Sequence, residues 1–232
     1  MTGDPGRPIG WLSWSSGKDS AWALHVLRSA GALSDSVRVT GLLTTVVAGT
    51  RAVSMHGVPH ELLQAQADAV GLPLHVVELP WPCPNEEYAR RMGAAVAGAR
   101  AQGVSRMVFG DLFLTDVRSY REQQLAGTGI EPLFPLWGRP TGELARQMVR
   151  GGLSAVLACV DCRQAPRELA GRAFDSGLLA DLPPEVDPCG ENGEFHTFVT
   201  DAPCFTAPVP VTVGAAAEQD GFVRVDLAPA GR

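Results

Sequence analysis

The sequence predicts an α/β protein built on a parallel, helix-covered sheet. Three observations carry that expectation. Short apolar runs rich in β-branched residues alternate with helix-period segments along the first half of the chain. The helical segments close on glycine, at Gly31, Gly71 and Gly103. The 232 residues are 45% hydrophobic and 19% charged, enough apolar matter for one large domain or two small ones sharing a core.

Taken in order, residues 9–14 read as a buried strand that runs into Ser15-Ser16-Gly17. Residues 19–30 follow with apolar positions at helical spacing. Residues 37–47, rich in Val, Leu and Thr, give a second strand. A helix over 58–70, a strand over 74–79, a helix over 86–101 and a strand over 104–109 continue the alternation, which calls for a parallel sheet. After Asp111 the pattern changes. Residues 117–126 look helical, and 131–137 form a proline-interrupted apolar stretch that marks a soft boundary at 133–137. A helix over 141–150, a strand over 154–160, an irregular stretch over 182–198 and a terminal strand pair over 209–213 and 222–227 complete the chain.

Net charge of -6 and a pI near 5.4 give no basic footprint, so nucleic acid is not an expected partner. No apolar run is long enough to cross a bilayer, and residues 1–10 lack a signal-peptide core, so a cytoplasmic location is expected. The five cysteines, an odd number without an export signal, are expected as free thiols. Cys159 and Cys162 form a lone CxxC with no second pair at zinc-site spacing.

The most informative segment is Ser15-Ser16-Gly17-Lys18-Asp19-Ser20, at the end of a strand and the start of a helix. Such a junction turns backbone N–H groups and the positive end of a helix dipole toward an anion. Gly17 supplies backbone freedom for the nest, Ser15 and Ser20 supply hydroxyl donors, and Asp19 is placed to hold magnesium. Lys18 is the chain's only lysine; every other basic side chain is arginine. A lysine kept only here points to a compact ammonium between phosphates, where a guanidinium fork is too wide. It is expected to face solvent without ligand, so that its loss costs little stability. The plainer reading of the same residues is a serine-capped helix start.

A second segment, Gly190-Glu191-Asn192-Gly193-Glu194-Phe195-His196-Thr197, carries two carboxylates three residues apart and a histidine. The carboxylates could bind magnesium or orient an amine, and His196 could act as a base near neutral pH. Composition alone reads it as a surface turn entering a strand. Gly110-Asp111 lies at the C-terminal end of a predicted strand, where parallel sheets hold ligands; helix capping is the alternative. Arg118 and Arg121 share a helix face and could hold an anion or simply be solvated.

These segments together resemble the N-type ATP pyrophosphatases and, within them, the diphthine–ammonia ligase family. The resemblance rests on LSWSSGKDS, Met55-His56-Gly57, Phe109-Gly110-Asp111, Pro135-Leu136-Trp137 and the GENGEFHT segment, and it covers most of the chain. Ser16 departs from it, standing where the family usually has glycine. If that position needs a positive φ, serine costs about 1 kcal/mol.

The resemblance implies an adenine nucleotide α hydrolase-like fold: a parallel twisted sheet with helices on both faces over residues 1–134, and a smaller α+β acceptor domain over 135–232. It implies ATP and Mg2+ as cofactors, with Asp19 on the metal. Thr44, His56, Gly110, Asp111, Gly193 and Thr197 are then expected to join the 15–20 loop around the nucleotide, with Lys18, Glu194 and His196 as catalytic groups. The implied reaction is AMP-forming: a carboxylate is adenylated and then amidated by ammonia or an amine. The implied substrate is diphthine, a modified histidine of translation elongation factor 2, and a homodimer is allowed. Glu194→Gln is expected to spare ATP binding and damage amine transfer. Two other readings stay open, a tRNA-modifying sulfur transferase using Cys159 and Cys162, and a nucleotide-binding module without turnover.

Overall fold

The computed structural model describes residues 6–29, 31, 33–49 and 57–231. The first strands alternate in facing: Leu12 and Trp14 of β1 (Ile9–Ser13 and the residue after it) join one apolar cluster, while Trp11 joins another. Leu42 and Leu43 of β2 (Arg38–Val47) divide the same way. That two-residue period buries both faces, as a parallel sheet between helix layers requires. One face is covered by α1 (Lys18–Arg28) and α2 (His60–Val70), the other by α3 (Asn85–Ala101) and α4 (Thr115–Leu125).

With β3 (Leu74–Leu79), β4 (Arg106–Val108) and β5 (Glu131–Leu133), the sheet runs β3-β2-β1-β4-β5, every pair parallel. The predicted strand over 104–109 is shorter in the structure. The proline-interrupted stretch supplies β5 as an edge strand, which tolerates Pro132 because an edge has spare N–H positions.

Beyond α5 (Thr141–Arg150) the chain forms an antiparallel sheet ordered β7-β6-β9-β8. Its strands are β6 (Ser154–Asp161), β7 (Phe195–Asp201), β8 (Val211–Gln219) and β9 (Phe222–Pro229). The stretch read as irregular over 182–198 already contains the start of β7. The sequence pattern also missed α6 (Ser176–Asp181), a six-residue helix capped by Asp175, whose carboxylate accepts from Leu178 N–H at 2.8 Å.

The two sheets share a core. Leu12, Trp14 and Leu24 belong to the same apolar cluster as Phe174, Phe195 and Phe198. Fully buried Gln66 on α2 fastens the join. Its amide donates to Ser16 O at 3.1 Å and Val199 O at 2.7 Å, and its oxygen accepts from Trp14 Nε1 at 2.9 Å. Val199 N–H in turn donates to Ser16 O at 3.0 Å. β7 is thereby laid against the end of β1, and the GENGEFHT segment comes to rest over the phosphate-type loop.

Candidate active site

The Ser15–Ser20 loop leads from β1 into α1 as expected, but the backbone divides its labour differently. Ser16 takes the left-handed conformation, at φ 67°, while Gly17 is extended at φ -90°. Gly17 serves close packing instead: a Cβ there would sit a tight 3.3 Å from Thr197 O. The N-cap residue, Gly17, has no side chain with which to cap α1. Ser20 Oγ donates to Gly17 O at 2.9 Å and lies 3.3 Å from Ser15 Oγ, and Lys18 N–H donates to Thr197 Oγ1 at 3.0 Å. A helix N-terminus facing a cavity is the arrangement an anion fills.

Lys18 does not face solvent; it is 2% exposed. Its ammonium donates to Asp19 Oδ2 at 2.8 Å and to the Cys189 carbonyl, and lies 5.9 Å and 5.6 Å from the ring centroids of Phe174 and Phe195. Burial works against its charge, but Asp19, Cys189 and Glu191 outweigh it and hold the ammonium above its ordinary value. Burial pushes the Asp19 carboxyl up, and Lys18 pulls it only partly back.

A cavity of about 220 Å3 opens over this loop. Ser15, Gly17, Lys18, Asp19, Ser20, Gly110, Asp111, Gly193, His196 and Thr197, all read from the sequence as site residues, line it. Gly110 is pressed against the start of α1: a Cβ would stand 2.9 Å from the Asp19 carbonyl carbon. Asp111 caps no helix. It takes a two-pronged ion pair from Arg121, at 2.8 and 3.2 Å. Of the two arginines on α4, Arg121 lines the cavity and stacks on Phe109. Arg118 instead pairs with Glu122 and lies over Phe134 and Trp137, away from it.

A second cavity of about 330 Å3 adjoins the first, sharing Ser13, Ser15, Phe109 and Arg121. Met92, Val96, Met107 and Leu125 make it apolar, and both tyrosines of the chain, Tyr88 and Tyr120, line it. Thr44 lies here, 3% exposed, and its hydroxyl has no hydrogen-bond partner among the described residues. The sequence reading had not placed the tyrosines; their positions on the two helices over one sheet face were the available signal.

The GENGEFHT segment separates its acids. Gly190 and Gly193, at φ 65° and 89°, make the tight turn. Glu191 lines the first cavity and accepts from Leu112 N–H at 2.7 Å. Burial pushes its carboxyl up to about 7, the Leu112 bond opposes this, and Asp19 adds to the rise. Glu194, predicted to be catalytic, is 2% exposed and does not line the cavity: its Oε1 accepts from Asp187 N–H at 3.0 Å and Asn192 Nδ2 at 2.9 Å. His196 does reach the cavity but is not poised at neutral pH. Burial, then the charges of Lys18 and Arg224, lower it to about 4.

His56 lies outside the described residues. Cys159 and Cys162 are free thiols, neither lines either cavity, and burial raises the Cys159 thiol. Among the described residues no group of three acidic, histidine or cysteine side chains is arranged around a metal position. Magnesium commonly needs only one or two carboxylates plus phosphate oxygens. Asp19 fits that role, because its Oδ1 is a buried atom with no hydrogen-bond partner among the described residues.

Two comparisons bear on this site. Residues 11–132 match the family model described as diphthamide synthase N-terminal domain, and residues 141–226 match diphthamide synthase C-terminal domain. A curated protein of Schizosaccharomyces pombe, diphthine–ammonia ligase, is 31% identical over 107 residues, covering 44% of this chain and 18% of that protein. The chain thus matches less than a fifth of that relative's length.

Proposed function

The chain belongs to the diphthamide synthase family, and from that premise we propose that it is an ATP-dependent carbon–nitrogen ligase. A carboxylate oxygen of the acceptor attacks the α-phosphorus of ATP, and the bond to the β-phosphate breaks. Ammonia then attacks the acyl carbon, the bond to the adenylate oxygen breaks, and AMP leaves. Magnesium, when bound at Asp19, would screen the phosphate charge.

One observation carries the proposal: the N-terminus of α1, its first N–H held by Thr197 Oγ1, opens into a polar cavity that adjoins a larger apolar one. The first suits a pyrophosphate, held by backbone N–H groups, Ser15, Ser20 and the Lys18 charge. The second suits an adenine ring between Phe109, Met92 and Tyr120, with the Thr44 hydroxyl available to it. The free thiols lie off both cavities, which disfavours a sulfur transferase.

Diphthine and ammonia, named for the fission-yeast relative, are the acceptor and donor to test first. The test supplies ATP, magnesium, ammonium and a diphthine-bearing acceptor protein. Acceptor-dependent amide and AMP support the proposal; intact ATP and acceptor refute this substrate choice.

A further inference from the structure

The two carboxylates of the GENGEFHT segment have opposite surroundings. Glu194 Oε1 is bonded inside its turn, and its Oε2, buried without a partner among the described residues, does not line the cavity. Glu191 stands half-buried on the wall of the phosphate-side cavity. Leu112 N–H fixes its Oε1 at 2.7 Å, and this bond ties the C-terminal segment to the loop after β4. No hydrogen bond among the described residues engages Oε2. Among the described residues the side chain is held at one oxygen and open at the other.

Among the other ionisable groups of that wall, His196 is a weak proton acceptor, because burial and the charges of Lys18 and Arg224 lower it to about 4. Lys18 and Arg121 are cations, which donate protons and cannot receive them. Both Asp111 oxygens take Arg121, and one Asp19 oxygen takes Lys18 while the other suits magnesium. Amide formation needs a proton acceptor, because nitrogen becomes cationic as it bonds to the acyl carbon.

We propose, resting on the ligase reading above, that Glu191 is the carboxylate that receives the nitrogen nucleophile. Its open oxygen hydrogen-bonds the incoming ammonia. As the C–N bond forms, an N–H proton passes to Glu191. The C–O bond to the adenylate breaks, and its electron pair leaves on AMP. Glu191 is then a catalytic residue and Glu194 a positioning residue for the turn that carries it.

The test uses the full chain with Glu191→Gln and three measurements. The first is ATP affinity by calorimetry, which needs no acceptor. The second is acceptor-dependent exchange of labelled pyrophosphate into ATP without ammonium, which reads adenylation. The third is amide formation with ammonium. The proposal expects affinity and exchange within about threefold of wild type and amide formation lowered about 100-fold or more. Glu191→Asp should restore part of the amide rate. A tenfold or larger loss of ATP affinity, on the order of 1.4 kcal/mol, would assign Glu191 to the nucleotide or its magnesium and overturn the proposal. Equal losses in exchange and amide formation would overturn it too. Absence of exchange in the wild type would instead overturn the ligase reading, and the role of Glu191 with it.

Discussion

At the scale of single residues, the lone lysine lines the cavity and is also bound into the fold. Lys18 reads from the sequence as a phosphate ligand waiting in solvent, and the structure buries it against Asp19, the Cys189 carbonyl and two phenylalanine rings. Removing it strands a buried carboxylate and a carbonyl. Lys18→Ala should therefore lower stability by about 2–4 kcal/mol in urea unfolding, as well as abolish turnover. A loss within about 0.5 kcal/mol would show that the contacts are not stabilising.

Glu194→Gln is expected to act in the same way. The amide keeps an oxygen for the bonds from Asp187 and Asn192 but removes the charge that strengthens them, so the variant should lose about 1 kcal/mol in thermal unfolding. An unchanged melting temperature with impaired amide formation would return Glu194 to the acceptor side. Glu191 and His196 give stability a pH dependence. Glu191 binds its proton more tightly in the fold, at about 7 against 4.5, so its contribution is full below pH 4.5 and lost as pH rises through about 7. His196, at about 4 against 6.5, contributes above pH 6.5 and loses that as pH falls toward 4. Asp19, Asp111 and Lys18 are the charges that act on Glu191. In Glu191→Gln the first loss disappears. Its melting temperature should gain on wild type as pH rises from 4.5 to about 7, and a constant difference would contradict the assignment.

At the scale of elements, the site depends on how closely α1 approaches the loop after β4. Gly110→Ala would drive a methyl to 2.9 Å from the Asp19 carbonyl carbon, a backbone atom that cannot swing aside. ATP affinity measured by calorimetry should fall about tenfold or more, and unchanged affinity would show that the loop gives way freely. This part of the site was legible in the sequence because strand, glycine turn and helix are contiguous there. The separation of Glu191 from Glu194 was not, since both lie in one turn and the N–H groups of Asp187, Asn192 and Leu112 distinguish them. Long periodic elements such as α3 and α5 were read nearly to their ends. Three-residue β5 carries too little period to register, and α6 depends on its Asp175 cap more than on pattern.

At the scale of the whole molecule, the cavity belongs to both halves of the chain. Thr197 receives the first N–H of α1, Gln66 fastens β7 to β1, and Glu191 joins the loop after β4. No helix of the described residues is long and apolar enough to cross a membrane. The alternation that predicted a parallel sheet was legible throughout the first half. The folding of the second sheet onto it was not, because Gln66 reads as an ordinary polar helix residue until Ser16 and Val199 are seen beside it.

On the proposed reading, this two-part cavity holds ATP for cleavage between its α- and β-phosphates, with the acceptor activated as an adenylate. Phosphorus NMR of the full chain with ATP, magnesium, ammonium and the diphthine-bearing acceptor tests it most directly. AMP and pyrophosphate should appear in equal amounts, both dependent on the acceptor; ADP and inorganic phosphate would refute this cleavage.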